Sequence, residues 1–125
     1  MPERATILAV DRNARNLELM KAFLEKHGYH VVTAATLEAV DRALLGRCTI
    51  RLALVDIAGF DRDIWERCER MRDADIPFLV IFPRQQAAIQ EESLEHGAHG
   101  TLTKPLAQRQ LLGLISGLLG EEAEE

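Results

Sequence analysis

The sequence predicts an α/β fold: a five-stranded parallel sheet in the order 2-1-3-4-5 with helices on both faces. Three observations lead there. Short apolar runs alternate five times with stretches of helical periodicity, and that alternation calls for a parallel sheet covered on both sides. Two of the runs, Thr6-Ile7-Leu8-Ala9-Val10-Asp11 and Leu52-Ala53-Leu54-Val55-Asp56, stay apolar until they end in an aspartate, as strands buried on both faces do. Right-handed crossovers cover both faces only if the winding reverses once. In this strand order the reversal falls between strands one and three, the two that end in Asp11 and Asp56.

Each element has its own signal. Strand one is read as Thr6 to Val10. The segment from Ala14 to His27 carries Leu17, Met20 and Leu24 at helical spacing, with Asn13 as N-cap and Gly28 as the stop. Tyr29 to Thr33 is a short second strand. Thr36 caps a helix from Leu37 to Leu45 that ends at Gly46. After the strand ending in Asp56, Asp63-Ile64-Trp65-Glu66 has the form of a capping box. That predicts a helix to about Ala74 that buries Trp65, Cys68 and Met71. Ile76-Pro77 breaks it. Phe78 to Phe82 is a fourth buried strand, ended by Pro83. Gln86 to His96 is a fourth helix stopped by Gly97, and Gly100 to Thr103 a fifth strand. In the last helix Leu111, Leu112, Ile115, Leu118 and Leu119 form one apolar stripe, read as core.

Composition narrows the function. A chain of 125 residues suits one domain with one core. The reading is a domain over residues 1–120, with 121–125 an acidic tail or the start of a linker. A hydrophobic fraction of 47% with 28% charged residues is that of a soluble globular protein. The formal net charge of -5 argues against a nucleic-acid surface, which wants a basic stripe. No apolar run approaches membrane-spanning length. Met1-Pro2-Glu3-Arg4 leads straight into a strand with no secretory signal, so a cytoplasmic location is expected. Cys48 and Cys68 lack metal-type spacing and read as reduced packing residues. His27, His30, His96 and His99 form no ligand cluster. His27 and His96 each precede a glycine at a helix end, where a cation favours the dipole.

The candidate site follows from the winding. Asp11 and Asp56 meet at the switch point, and Lys104, after strand five, projects from the same edge. Carboxylates are common at strand ends, and a surface salt-bridge cluster would be worth little. All three groups in register with the winding suit phosphoryl chemistry instead. A carboxylate can serve as nucleophile. Mg²⁺ binds through one or two carboxylates plus phosphate oxygens, and a lysine offers a compact charge to a phosphoryl group.

From Thr6 to Leu119 the chain resembles, without gaps, a receiver domain of two-component response regulators, which has a flavodoxin-like fold. Ile7-Leu8-Ala9-Val10-Asp11 and Leu54-Val55-Asp56 match the family's first and phosphoacceptor motifs. Ile76-Pro77, Gly97-Ala98 and Leu102-Thr103-Lys104-Pro105 match its back half, the last most specifically. The resemblance implies that Asp56 is the phosphoacceptor, that Lys104 contacts the phosphoryl group, that Asp11 and Asp56 hold Mg²⁺, and that the bond to Pro105 is cis. It also implies a histidine kinase or phosphotransfer protein as donor. A protein partner would dock on the face of helix four, strand five and helix five.

The departures matter as much. The second acid usual after strand one is Arg12. The hydroxyl usual at the end of strand four is Phe82, followed by Pro83, and the aromatic usual in strand five is Thr101. The Pro usual four positions after the acceptor is Phe60, and a Gly usual in that loop is Ile64. An Asp-to-Arg change moves two charge units beside a divalent ion. At ~5 Å and a dielectric of ~80 that costs about 3 kcal/mol, roughly a hundredfold in affinity. Weak or absent Mg²⁺ binding is therefore expected. The Arg12 guanidinium either pairs with Asp56, where the metal should stand, or points to solvent. The function expected is a non-enzymatic receiver-type module with Asp56 as acceptor but a degenerate metal site and switch. The alternative is a pseudo-receiver that binds its partner without phosphorylation. A small flavodoxin-like flavin carrier is the reading from another class. It needs a phosphate-cradling loop, and Asp11-Arg12-Asn13-Ala14-Arg15 has neither Gly nor a Ser/Thr run.

Overall fold

A computed structural model describes residues 5–46, 49–83 and 88–120. Five strands alternate with five helices: β1 (Thr6–Val10), α1 (Ala14–Lys26), β2 (His30–Ala34), α2 (Leu37–Leu45), β3 (Ile50–Asp56), α3 (Asp63–Asp73), β4 (Phe78–Pro83), α4 (Ala88–Glu95), β5 (Gly100–Lys104) and α5 (Gln108–Leu119). All strand pairs are parallel and the order is β2-β1-β3-β4-β5. The expected sheet and its winding are both present. Four elements of the sequence reading lie outside the described residues: Met1 to Arg4, Cys48, the start of helix four at Gln86, and the acidic tail at 121–125.

The strands explain the unbroken apolar runs. In β3 only Arg51 is exposed, and Leu52, Ala53, Leu54 and Val55 are almost fully buried. Side chains of a strand alternate between faces, so each run feeds two cores. Leu8, Val10, Ala53, Val55, Val80 and Phe82 join Val40 of α2 and Ile64, Trp65, Cys68 and Met71 of α3 on one side. Ile7, Ala9, Leu52, Leu54, Leu79, Ile81 and Leu102 join Leu17 and Leu24 of α1 and Leu111 and Ile115 of α5 on the other. The α5 stripe is therefore core, with Leu112, Leu118 and Leu119 only partly covered. Cys68 is a free thiol deep in the first core, and burial pushes its pKa up to about 12.

The caps of α1 and α2 form as expected. Asn13 accepts from the Asn16 N–H at 3.1 Å and Thr36 from the Ala39 N–H at 3.0 Å. The capping box at α3 does not form. Asp61, two residues upstream, accepts from the Asp63 N–H at 3.0 Å and turns the chain, so Asp63 is already helical and Arg62 takes the cap position without a side-chain bond. Glu66, freed from a cap role, pairs with Arg67 and Arg70. Asp41 of α2 also holds Arg67 and Arg70, at 3.0 and 3.2 Å. The Arg67 hydrogen bond lowers the Asp41 pKa. No helix among the described residues is long and apolar enough to cross a membrane.

Candidate functional site

The carboxyl edge of the sheet brings the three expected residues together. Asp56 ends β3 and is 4% exposed, a depth at which a carboxylate needs partners. It has them: Oδ1 accepts from the Ala58 N–H at 3.0 Å, and Oδ2 lies 2.5 Å from the Lys104 Nζ. Lys104 ends β5, and its peptide bond to Pro105 is cis. Asp11 follows β1, where Oδ1 accepts from the Asn13 N–H at 2.8 Å and shapes the turn into α1. The Asp11 pKa is raised, first by burial and then, against the Asn13 N–H, by the charge and hydrogen bonding of Asp56. Two carboxylates this close repel, and one ammonium does not neutralise both.

The oxygen pair suits a hard cation that keeps part of its water shell. A fuller set of donors is absent: no group of three His, Cys, Asp or Glu side chains among the described residues is arranged to hold a metal. Asp11 and Asp56 therefore fit Mg²⁺, with two protein carboxylates at most.

Arg12 does not pair with Asp56; it is exposed, the second of the two positions expected for it. Its guanidinium lies over the Phe60 ring, 5.6 Å from the centroid, a contact worth ~0.5–1 kcal/mol at an exposed site. Lys104 already occupies Asp56, so Arg12 finds its partner in the loop after β3. That loop bends at Gly59, with φ of 84°. A Cβ on Gly59 would come within 3.3 Å of the Arg12 side chain, so the loop and Arg12 are packed as one piece. Phe82 and Thr101, which stand at the family's switch positions with the residue types changed, do not face each other in register. Thr101 pairs with Val80, and Phe82 with Thr103. Phe82 is buried in the core beneath α3, and Thr101 is half-buried.

Two features escape sequence reasoning. A cleft of about 580 Å³ runs from Asp11, Asp56 and Lys104 between α1 and α5, past Met20, Phe23 and Leu106. Met20 reads from its spacing as core, and it does pack against that core, half-buried, while also lining the cleft. His96, one residue beyond α4, does more than complement a helix dipole. Its ring stacks on Trp65 of α3, with centroids 4.9 Å apart and planes 12° from parallel. Its Nδ1 lies 2.5 Å from Glu69 Oε2.

An acidic pair and a lysine thus lie together at the carboxyl edge of a doubly wound parallel sheet, the architecture of a signalling α/β domain. The chain belongs to the response regulator receiver domain family of two-component systems, whose family model matches residues 7–116. Among its relatives, the response regulator MprA of Mycobacterium leprae is 31% identical over 116 residues, covering 90% of this chain and 50% of that protein. The transcriptional regulatory protein GltR of Pseudomonas aeruginosa is 30% identical over 118 residues, covering 91% of this chain and 48% of that one. The chain thus spans about half the length of the curated relatives it matches. Among solved structures, a CheY-like receiver domain from Methanospirillum hungatei is 28% identical with a TM-score of 0.81, covering 94% of this chain and 95% of that one. A receiver protein from Burkholderia phymatum, at 19% identity, shares the fold with a TM-score of 0.86 over 98% of this chain and all of that one (100%).

Proposed function

We propose that this domain accepts a phosphoryl group on Asp56 from a histidine kinase or phosphotransfer protein, with a weakened metal site and without the family's usual switch. The observation that carries the reading is the Asp56–Lys104 ion pair at the switch point, with Asp11 beside it. An Asp56 oxygen attacks phosphorus, the P–N bond of the donor phosphohistidine breaks, and the imidazole nitrogen leaves with the electron pair. Lys104 exchanges its carboxylate contact for a phosphoryl oxygen. Asp11 and Asp56 would hold Mg²⁺, which when bound offsets the charge of the phosphoryl oxygens. Arg12 lowers the affinity for that ion, and its position over Phe60 leaves it off the acceptor. The reading makes residues 1–120 a signalling domain without turnover of its own, in the cytoplasm, with 121–125 a tail or linker start. Its partners are proteins, with no nucleic acid or membrane contact.

The second reading is a pseudo-receiver that docks through α4, β5 and α5 without phosphorylation. It is favoured by Phe82, which has no hydroxyl to offer a phosphoryl group, and by Thr101, which has no ring to move. Intact-mass analysis after incubation with acetyl phosphate and Mg²⁺ separates the two. One phosphoryl adduct is expected on the protein and none on Asp56→Asn. A protein that stays unmodified is a binding module only. Arg12→Asp is expected to raise the Mg²⁺ response of Trp65 fluorescence, and tight Mg²⁺ binding by the unaltered protein would refute the electrostatic argument.

A further inference from the structure

The helix α4 is tied to α3 by a chain of contacts that starts at the loop after Asp56. Asp56 accepts from the Ala58 N–H, the Phe60 N–H donates to the Ile57 carbonyl, and Asp61 turns the chain into α3. Arg62 then reaches across to Glu92 of α4 at 2.6 Å. Glu92 Oε2 also lies 3.9 Å from the His96 Nε2. The other nitrogen of His96 meets Glu69 of α3, and the ring covers Trp65. Trp65 is 6% exposed, while Ile89 of α4 packs on the same core.

The contacts differ in weight. Arg62 is 80% exposed on its side chain, and an ion pair that open to water contributes little by itself. The His96–Trp65 stack and the His96–Glu69 bond are more shielded, with His96 24% exposed on its side chain. His96 is therefore the member on which the tie depends. Phe82 and Thr101, the positions where the family couples its acceptor to this face, have side chains that do not serve.

We propose that His96 is a coupling residue: it joins α4 to α3, so that the loop after Asp56 and α4 respond to each other by a route that does not use Phe82 or Thr101. A change in the loop's charge or packing moves the first turn of α3. Trp65 lies in that turn, and the imidazole stacked on it carries the end of α4 along. Coupling of this kind is reciprocal, so a change at His96 must also be felt in the loop.

The proposal goes beyond phosphoryl acceptance and does not need it, because removing the Asp56 charge perturbs the loop directly. The test is amide-shift mapping of the full chain carrying Asp56→Asn, His96→Gln, or both. Asp56→Asn is expected to shift the amides of Ile89 to Glu95 in the native background, and His96→Gln to cut those shifts by about half or more. His96→Gln alone is expected to shift the amides of Ala58 and Gly59, which touch nothing that was changed. Leu94→Ala, on the 52% exposed side of α4, serves as the control and leaves them in place. Equal α4 shifts in both backgrounds, or no α4 shift from Asp56→Asn, would overturn the proposal. Should His96→Gln fail to fold, Glu69→Gln replaces it, since both rings stay and only the carboxylate facing His96 loses its charge. A missing phosphoryl adduct bears on the acceptor role and leaves this result untouched.

Discussion

The two faces of the sheet are covered differently. On the α3 side the core holds Trp65, Phe78 and Phe82, an ion pair runs from α2 to α3, and Arg62 at the start of α3 pairs with Glu92 of α4. On the other side α1 and α5 stand apart over a cleft of about 580 Å³, and Leu19 of α1 is 56% exposed. Part of the reason is side-chain volume. The large rings that close the α3 side have no counterpart there except Phe23 and Tyr29, at the edges of that core. The half of the molecule that leads to Asp56 is the open one, and the half that ties helices together is closed.

The sharpest way to break this contrast is to remove a ring from each face. Phe82→Ala is expected to cost about 3–5 kcal/mol in urea unfolding, as deletion of a buried ring does. Phe23→Ala, from the half-open cleft, should cost on the order of 1–2 kcal/mol. Equal losses would mean that the cleft is as well packed as the closed core.

Glycine substitutions should differ in sign. Gly97 has φ of 101°, and a Cβ there would sit 2.7 Å from the Arg72 Cδ. Gly97→Ala is expected to destabilise by ~1–3 kcal/mol. Gly113→Ala in α5 meets no neighbour and should stabilise by ~0.5–1 kcal/mol through helix propensity. Thermal melts of the two variants moving the same way would contradict the contrast.

The smallest effects are electrostatic, and they too run in opposite directions. Asp41 has a lowered pKa, chiefly through Arg67. Its contribution is present above its ordinary value of 3.8 and is lost as pH falls through the lower folded value. Asp11 has a raised pKa, chiefly through burial, so ionising it in the folded state opposes stability above that raised value. With divalent ions chelated, Asp41→Asn is expected to destabilise at pH 7 and Asp11→Asn to stabilise. Both differences should vanish at a pH below both folded values. Stability curves against pH for the two variants that bend the same way would refute one of these assignments.

The fold was legible because its signals are local or follow from winding. Unbroken runs such as Leu52 to Val55 can only be strands buried on both sides, and the reversal of winding puts Asp11 beside Asp56 without any side-chain geometry. Two of the misses involve competition between partners. Asp61 and Asp63 both suit the start of α3, and the chain's turn decides for Asp61. Charge alone sends Arg12 toward Asp56, but Lys104 arrives from another strand and the Phe60 ring offers an alternative. His96 reads as a helix-end cation because Glu69 and Trp65 lie 27 and 31 positions away in sequence (96 − 69 and 96 − 65). The cleft depends on the spacing of two helices, which periodicity does not encode.

Cys68 turns the closed face into a chemical clock. Its thiol lies under α3 with no solvent exposure, and a pKa of about 12 leaves almost no thiolate at neutral pH. An alkylating reagent can reach it only in molecules whose α3 has lifted from the sheet. In a Cys48→Ser chain it is the sole thiol, so the rate at which label accumulates counts those openings one molecule at a time. Any event at Asp56 that tightens or loosens α3 is written into that rate, with no need for the partner that would ordinarily read it.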